Sequence, residues 1–272
     1  MIYYIPLGDE NTASSRLRVH KIRPFLESSL VLPERYEKGD TLIIQKVHNP
    51  NELRKAQSQG AKVIFDIDDA YLHITGYLHM VQMADMVTVD SDKKKEYVRE
   101  YTQKPIVVIP DCLDWDGITR TEDVRNGVAC WTSYGNNAEF LEGVKIPYKL
   151  KLITTPNYDS FFNGECEFAP WSLDTVDEEI RNSEMMVIPL PDNEVTRLKG
   201  MHKLLKAWAN GVPCYTSPMP DYVKAMQEAG VGDKYLIEDW TKLENIGFDE
   251  RCREYALQYQ AENIAKQWKK IL

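Results

Sequence analysis

Apolar residues along this chain come in short runs separated by stretches with helical spacing. Residues 2–5 (IYYI), 41–45 (TLIIQ), 62–65 (KVIF), 86–89 (MVTV) and 106–109 (IVVI) read as strands. Nearly continuous apolar runs are what strands covered on both faces require. Between them the spacing predicts helices at 15–26, opened by a serine cap with Leu17, Ile22, Phe25 and Leu26 turned inward, and at 51–59, closed by Gly60. A further helix, DKKKEYVREY, follows Ser91 as its cap. Residues 110–126 are rich in Asp and Thr, show no apolar periodicity, and read as an interdomain linker. The alternation then resumes, with strands at 128–131, 150–154, 185–189, 212–216 and 235–237. Helices are expected near 137–141, in DTVDEEIRNS after Ser172 or Asp174, at 199–210 before Gly211, at 221–229, and in a closing stretch at 249–271. Strand–helix alternation of this kind specifies an α/β fold with parallel sheets. Two Rossmann-like βαβ domains are expected, at 1–115 and 116–272, facing across a cleft. Ligands of such domains bind at the carboxyl ends of the strands.

Composition narrows the classes. The chain has 272 residues, 43% hydrophobic and 28% charged, which is ordinary for a folded protein and excludes disorder as its main state. No apolar run is long enough to span a bilayer. MIYYIPLGDENTASS lacks the pattern of a secretory signal, so the cytoplasm is the expected location. The five cysteines, Cys112, Cys130, Cys166, Cys214 and Cys252, form no CxxC pair, which argues against a structural zinc site or a disulfide framework. A net charge of −9 weighs against a general nucleic-acid or membrane-surface binder, though a local basic groove can sit inside an acidic average.

Candidate chemistry gathers at strand ends. The loop PLGDENTASSRLR brings Ser14, Ser15 and Arg16 to a helix start, which suits an anion; the alternative is a capping serine with solvated arginines. Asp66, Asp68 and Asp69 follow a strand directly and could hold a metal, supply a general base, or simply cap the next helix. Arg197, Lys199, Lys203 and Lys206 follow the strand MMVIP and its loop PLPDNEVTR, with the three lysines on one helical face. Cations there can neutralise a diphosphate leaving group, and a solvated lysine face is the alternative. Trp171 in FAPWS is either a base-stacking surface or core. There is no GxGxxG, Walker loop, GxSxG or metal-type histidine spacing among the five histidines.

The order of these segments resembles small GT-B glycosyltransferases of the family-4 (glycosyltransferase group 1) type. ASSRLRVHKIRPFLE is similar to the first loop and helix, VIFDIDDAY to a DIDD segment of a bacterial subset, ADMVTVDSDKKKEY to a strand and helix, and IVVIPDCLD to the end of the first domain. VACWTSYGNN resembles the start of the second domain, and SEMMVIPLPDNEVTRLKGMHKLLKAWANGVPCYTS the strand-loop-helix-strand that grips a nucleotide sugar. The final helix resembles the one that crosses back to the first domain. The family's paired glutamates are altered: Lys206 stands at the second, and Glu194 either matches the first or that residue is absent.

The resemblance implies transfer of a sugar from a nucleotide-sugar donor, expected to be UDP-linked, to a hydroxyl acceptor, with no cofactor and no metal. Ser15, Arg16, Ser133, Tyr134, Gly135, Thr154, Trp171, Pro189, Glu194, Arg197, Lys199 and Lys203 are the expected donor contacts. Arg197 and Lys199 would stabilise the diphosphate, and Asp66, Asp68 or Asp69 would act as base if the enzyme inverts. The acceptor would be a glycan, a small molecule or a hydroxymethylated DNA base; KKKEYVREY is the one candidate for a basic membrane-facing helix. Two other classes stay open: a Mg²⁺-dependent phosphohydrolase using Asp66 and Asp68, and a module that binds nucleotide sugars without turning them over.

Overall fold

The computed structural model describes residues 1–68, 72, 76–162 and 164–272. The chain divides into two compact units, residues 1–112 with 259–272, and residues 113–258. Each carries a parallel sheet, so the chain is α/β with two Rossmann-like domains.

The first unit holds β1 (Ile2–Ile5), β2 (Ser28–Ser29), β3 (Thr41–Gln45), β4 (Lys62–Ile67), β5 (Met86–Val89) and β6 (Ile106–Val108), in the order β2-β1-β3-β4-β5-β6. Strand order reverses between β1 and β3, which makes that end of the sheet a topological switch point. Alternate strand residues feed different cores. Leu42, Ile44, Phe65 and Ile67 pack on one face with Leu53 and Ala56 of α2 (Pro50–Ser58) and Met80 of α3 (Tyr77–Met83). Ile43 and Ile64 pack on the other with Leu17, Ile22, and Ile264 and Trp268 of the last helix. α4 (Asp92–Arg99) is capped by Ser91, whose hydroxyl accepts from the Lys94 amide at 3.3 Å.

The second unit holds β7 (Val128–Thr132), β8 (Lys149–Thr154), β9 (Glu167–Pro170), β10 (Met185–Ile188) and β11 (Cys214–Thr216), in the order β11-β10-β7-β8-β9. Its order reverses between β7 and β10. The helices are α5 (Val176–Arg181), α6 (His202–Ala209), α7 (Pro220–Glu228) and α8 (Glu250–Leu257). Trp208 of α6 is fully buried and meets the Tyr255 ring of α8 edge-on at 6.0 Å.

Several elements depart from the sequence pattern. The helix expected at 15–26 is a short turn, α1 (Ala13–Ser15), followed by a wide π turn over Arg16–His20 and a 3₁₀ turn over Arg23–Phe25. Pro24 offers no amide to continue a helix, and the wide turn swings Arg18 into the core. The closing helix is two, α8 and α9 (Ala261–Lys269), and only α9 packs in the first unit. The helix expected at 137–141 is a 3₁₀ turn over Gly135–Leu141. The strand expected at 235–237 contributes a single bridge, Thr216 to Leu236.

Residues 110–126 contain no helix or strand; Asp111 and Cys112 bond into the first unit, to Arg18 and the Leu17 carbonyl, and the stretch from 113 on is strapped to the second. Thr119 donates to the Ala209 carbonyl at 2.8 Å, and Arg120 to the carbonyls of Ser183 (2.6 Å) and Gly211 (3.1 Å). Gly211 ends α6 at φ +74°, and a Cβ there would meet Thr119 Cγ2 at 2.9 Å and the Arg120 carbonyl at 3.0 Å. Glycine is therefore required by both conformation and space.

Candidate functional site

In the second unit the loops leaving β7 and β10 lie at the switch point, where an open α/β sheet binds ligands. Ser133 follows β7. Its Oγ accepts from Lys203 Nζ at 2.6 Å and from Asn137 Nδ2 at 2.9 Å. With both lone pairs used, what Ser133 has left is its own proton to donate. The Ser133 carbonyl accepts from Thr154 Oγ1 at 2.6 Å, and Thr154 is fully buried. Thr154 thus fixes the loop instead of facing a ligand's base. Gly135 starts the following turn, and its amide donates to Thr155 Oγ1 at 2.9 Å. A Cβ there would fall 2.4 Å from Asn157 Oδ1 and 2.9 Å from the Tyr158 amide nitrogen. Backbone cannot yield as a flexible side chain does. Gly135→Ala is expected to cost about 1–3 kcal/mol, seen as a lower thermal midpoint, with weaker ligand binding by the Ser133 loop.

Lys203 lies in the first turn of α6, with Nζ 5.8 Å from the centre of the Trp131 ring. Among the described residues it has no carboxylate partner. Burial, and then the neighbouring Lys199, bring its ammonium down to about 7. A cation destabilised in this way gains most from an arriving anion. Lys199 Nζ stands 5.6 Å over the Phe140 ring. Tyr134, at 52% exposed, presents its ring to solvent from the same loop.

The other expected cations are committed elsewhere. Arg197 is half-exposed and clasps Asp192 of its own loop, Nε to Oδ1 at 2.5 Å and Nη2 to Oδ2 at 2.7 Å. Its charge is answered by that carboxylate. Lys206 is buried against Asp177 (3.0 Å) and the Asp114 carbonyl (2.8 Å), so it closes the core and leaves the lysine face. Glu194 is exposed, Pro189 is buried at the end of β10, and the Trp171 amide donates to the Thr154 carbonyl at 2.9 Å.

In the first unit the expected anion loop is filled by its own closure. Ser15 is fully buried; its Oγ accepts from the Gly8 amide (3.0 Å) and donates to Gln45 Oε1 (2.9 Å). Arg16 is buried, with Nη1 on the Glu10 carbonyl at 2.7 Å. Asp66 is also structural. Both of its oxygens take Arg18 (2.8 and 2.6 Å), and Oδ1 also accepts from Thr88 at 2.6 Å. Three of the four acceptor positions of this fully buried carboxylate are thus used inside the protein. Asp69 lies outside the described residues.

Asp68 differs. It is 12% exposed, 3.0 Å from Lys46 Nζ. Although burial raises its carboxyl, Lys46, Arg18 and Lys94 together hold it down at about 2. Around it stand groups the sequence pattern did not single out: Asp90 and Asp111, which follow β5 and β6, and Lys94, the middle lysine of the KKK run. Lys94 turns inward to grip both Asp90 oxygens at 2.6 Å. Burial raises the Asp90 carboxyl to about 7 against the pull of Lys94. The spacing of Asp90 and Lys94, one helical turn apart, is the signal that could have marked this pair.

No protein-family profile matches the chain, and no curated protein sequence matches it. Solved structures do match in fold. The pneumococcal O-GlcNAc transferase GtfA, in complex with UDP and GlcNAc, superposes with a TM-score of 0.56 at 14% identity, over 86% of this chain and 56% of that one. TarM of S. aureus gives 0.56 at 11% identity, over 86% and 55%. AviGT4, a glycosyltransferase involved in avilamycin A biosynthesis, gives 0.50 at 10% identity, over 99% and 96%. This chain therefore spans just over half the length of GtfA and of TarM. At these identities the likeness is one of architecture: the chain has the paired Rossmann-like fold of GT-B glycosyltransferases.

Proposed function

We propose that the protein is a metal-independent glycosyltransferase that holds the diphosphate of a nucleotide-sugar donor, UDP-linked, at the β7 and β10 strand ends. In the reaction the bond from the anomeric carbon to the diphosphate oxygen breaks, and the diphosphate leaves with the electron pair. An acceptor hydroxyl oxygen bonds that carbon and gives up its proton. The observation that supports this reading is Lys203, a partly buried cation with no carboxylate partner among the described residues, fixed on Ser133 at the strand-order reversal. The Ser133 hydroxyl and the first amides of α6 add donors suited to phosphate oxygens. Tyr134 is assigned to the base or sugar of the donor, and Lys199 supports the charge.

Calorimetric titration with UDP, and hydrolysis of UDP-glucose and UDP-N-acetylglucosamine in EDTA, test the proposal. UDP is expected to bind, and slow donor hydrolysis to persist in EDTA. Ser133→Ala, which removes the acceptor that orients Lys203, is expected to weaken UDP binding about tenfold, the worth of a charge-assisted hydrogen bond. Hydrolysis abolished by EDTA would return the phosphohydrolase. Binding with no turnover on any acceptor would leave a non-catalytic sugar-nucleotide module.

A further inference from the structure

The 3₁₀ turn after β7, Gly135–Leu141, is anchored along its length. Ala138 and Leu141 are buried, the Gly135 amide is bound by Thr155, and the Asn137 amide donates to the Tyr134 carbonyl at 2.9 Å. The turn carries two adjacent asparagines with different fates. Asn136 is exposed, and its side chain bonds to nothing among the described residues. Asn137 is half-buried and donates from Nδ2 to Ser133 Oγ at 2.9 Å, four positions back along the chain.

The Asn137 side chain brings two properties to Ser133. The first is a donor. A serine oxygen has two lone pairs and one proton, and Lys203 Nζ takes one lone pair at 2.6 Å. With that contact alone the hydroxyl could still rotate. Asn137 takes the second lone pair, so the proton is confined to the one direction left. The second property is neutrality. Lys199 is the charged group that bears on Lys203 among the described residues. Ser133 and the Trp131 ring, which also face Lys203, carry no charge. An aspartate at position 137 would have the same shape, but it would accept the Ser133 proton and stand one hydroxyl away from the ammonium.

We infer that Asn137 is a positioning residue of the phosphate site, which commits the Ser133 hydroxyl to donating and, being uncharged, keeps Lys203 for an anionic ligand. The inference rests on the reading of the β7 and β10 loops as the donor site. Ser133 and Lys203 then offer hydrogen-bond donors only. Such a pair suits ionised phosphate oxygens, which only accept, and gives nothing to a ligand group that must donate.

Calorimetric titration of the full chain with UDP, from about pH 6 to about pH 9 across the ordinary histidine-to-lysine range, compares the wild type with Asn137→Asp, Asn137→Ala and Asn136→Asp. At the acid end Lys203 is charged in every protein. There Asn137→Asp should weaken UDP binding at least about tenfold, through a lost charge-assisted hydrogen bond and an added like charge. Asn137→Ala frees the hydroxyl to rotate without adding charge and should cost about threefold, the effect of a neutral hydrogen bond. Asn136→Asp adds the same charge on an exposed side chain, where solvent screens it, and should change affinity by less than about twofold. The pH profile is the readout that a merely structural role would not move. Wild-type affinity declines as Lys203 loses its proton near pH 7. In Asn137→Asp the nearby carboxylate favours the charged lysine, so the decline should move to higher pH. The Lys203 Cε resonance in ligand-free protein, followed by ¹³C NMR, should titrate with the same upward displacement. UDP binding by Asn137→Asp equal to the wild type's, a loss no greater than that of Asn136→Asp, or an unmoved Lys203 titration would each overturn the inference. Failure of the transferase reading shows separately, as a wild type that does not bind UDP, and the ligand-free titration still decides whether position 137 governs Lys203.

Discussion

Arg18→Ala is expected to unfold the first unit at denaturant concentrations that leave the second intact. Arg18 and Asp66 are each 1% exposed at the side chain. The guanidinium also holds Asp111 (2.8 Å) and the Ile109 carbonyl (3.0 Å), so it ties the wide turn to β4 and to the chain leaving β6. Asp66 drives the arginine's proton affinity well above its ordinary value despite burial. Removing one partner of a buried pair strands the other, at a cost of about 3–5 kcal/mol. That is a large part of a domain's net stability. The measurement is native-state hydrogen exchange across a urea series: amides of β3, β4 and β5 should lose protection, and those of β7, β8 and β10 should keep it. One global midpoint would blur two units that need not unfold together. The double change Arg18→Met with Asp66→Leu should recover only part of the loss, because an apolar pair of similar volume replaces the Arg18–Asp66 ion pair while Asp111, the Ile109 carbonyl and the Thr88 hydroxyl each lose a partner. If Arg18→Ala alone is neutral, the Arg18 pair does not hold the strand ends of the first sheet together.

Lys203→Met should separate function from stability. Diphosphate affinity is expected to fall about 10- to 100-fold, from loss of a charged hydrogen bond of ~1.5–3 kcal/mol. Donor turnover should fall by about 10²–10³, the usual effect of deleting one preorganised donor to developing charge. The thermal midpoint should stay level or rise, since the variant buries a thioether where the wild type holds a poorly solvated ammonium. Acidity gives a second readout. The folded protein releases the Lys203 proton near pH 7, the unfolded chain only near the ordinary lysine value of about 10.4. Between these values the unfolded state binds more protons, so wild-type stability gains from this group as pH rises, and Lys203→Met removes that gain. Binding runs the other way. Above about 7 a diphosphate must draw a proton back onto Lys203, so affinity should weaken with rising pH in the wild type, and the variant's profile should lack that slope. A variant that binds UDP as the wild type does would place the phosphates elsewhere.

The apolar runs TLIIQ, VIF, MVTV and MMVIP were enough to place β3, β4, β5 and β10, because parallel strands covered on both faces need them. Glycine and serine likewise marked Gly211 and Ser91 as ends of helices. Strands of two or four ordinary residues, Ser28–Ser29 and Glu167–Pro170, carry no such signature and exist only through their neighbours. Charge was legible as type but not as commitment. Helical spacing put Lys199, Lys203 and Lys206 on one face, yet it could not show that Lys206 meets Asp177, 29 positions away in sequence, or that Arg197 folds back on Asp192. Likewise DIDD announced carboxylates at a strand end, but Asp66 is taken by an arginine 48 residues earlier while Asp68 meets Lys46, 22 residues earlier. The local chain dictates which groups stand at the ends of the strands. Whether each is spent inside the protein or kept for a ligand depends on long-range pairing, because a buried charge is stable only beside its opposite, and only the folded sheet decides which charges find one.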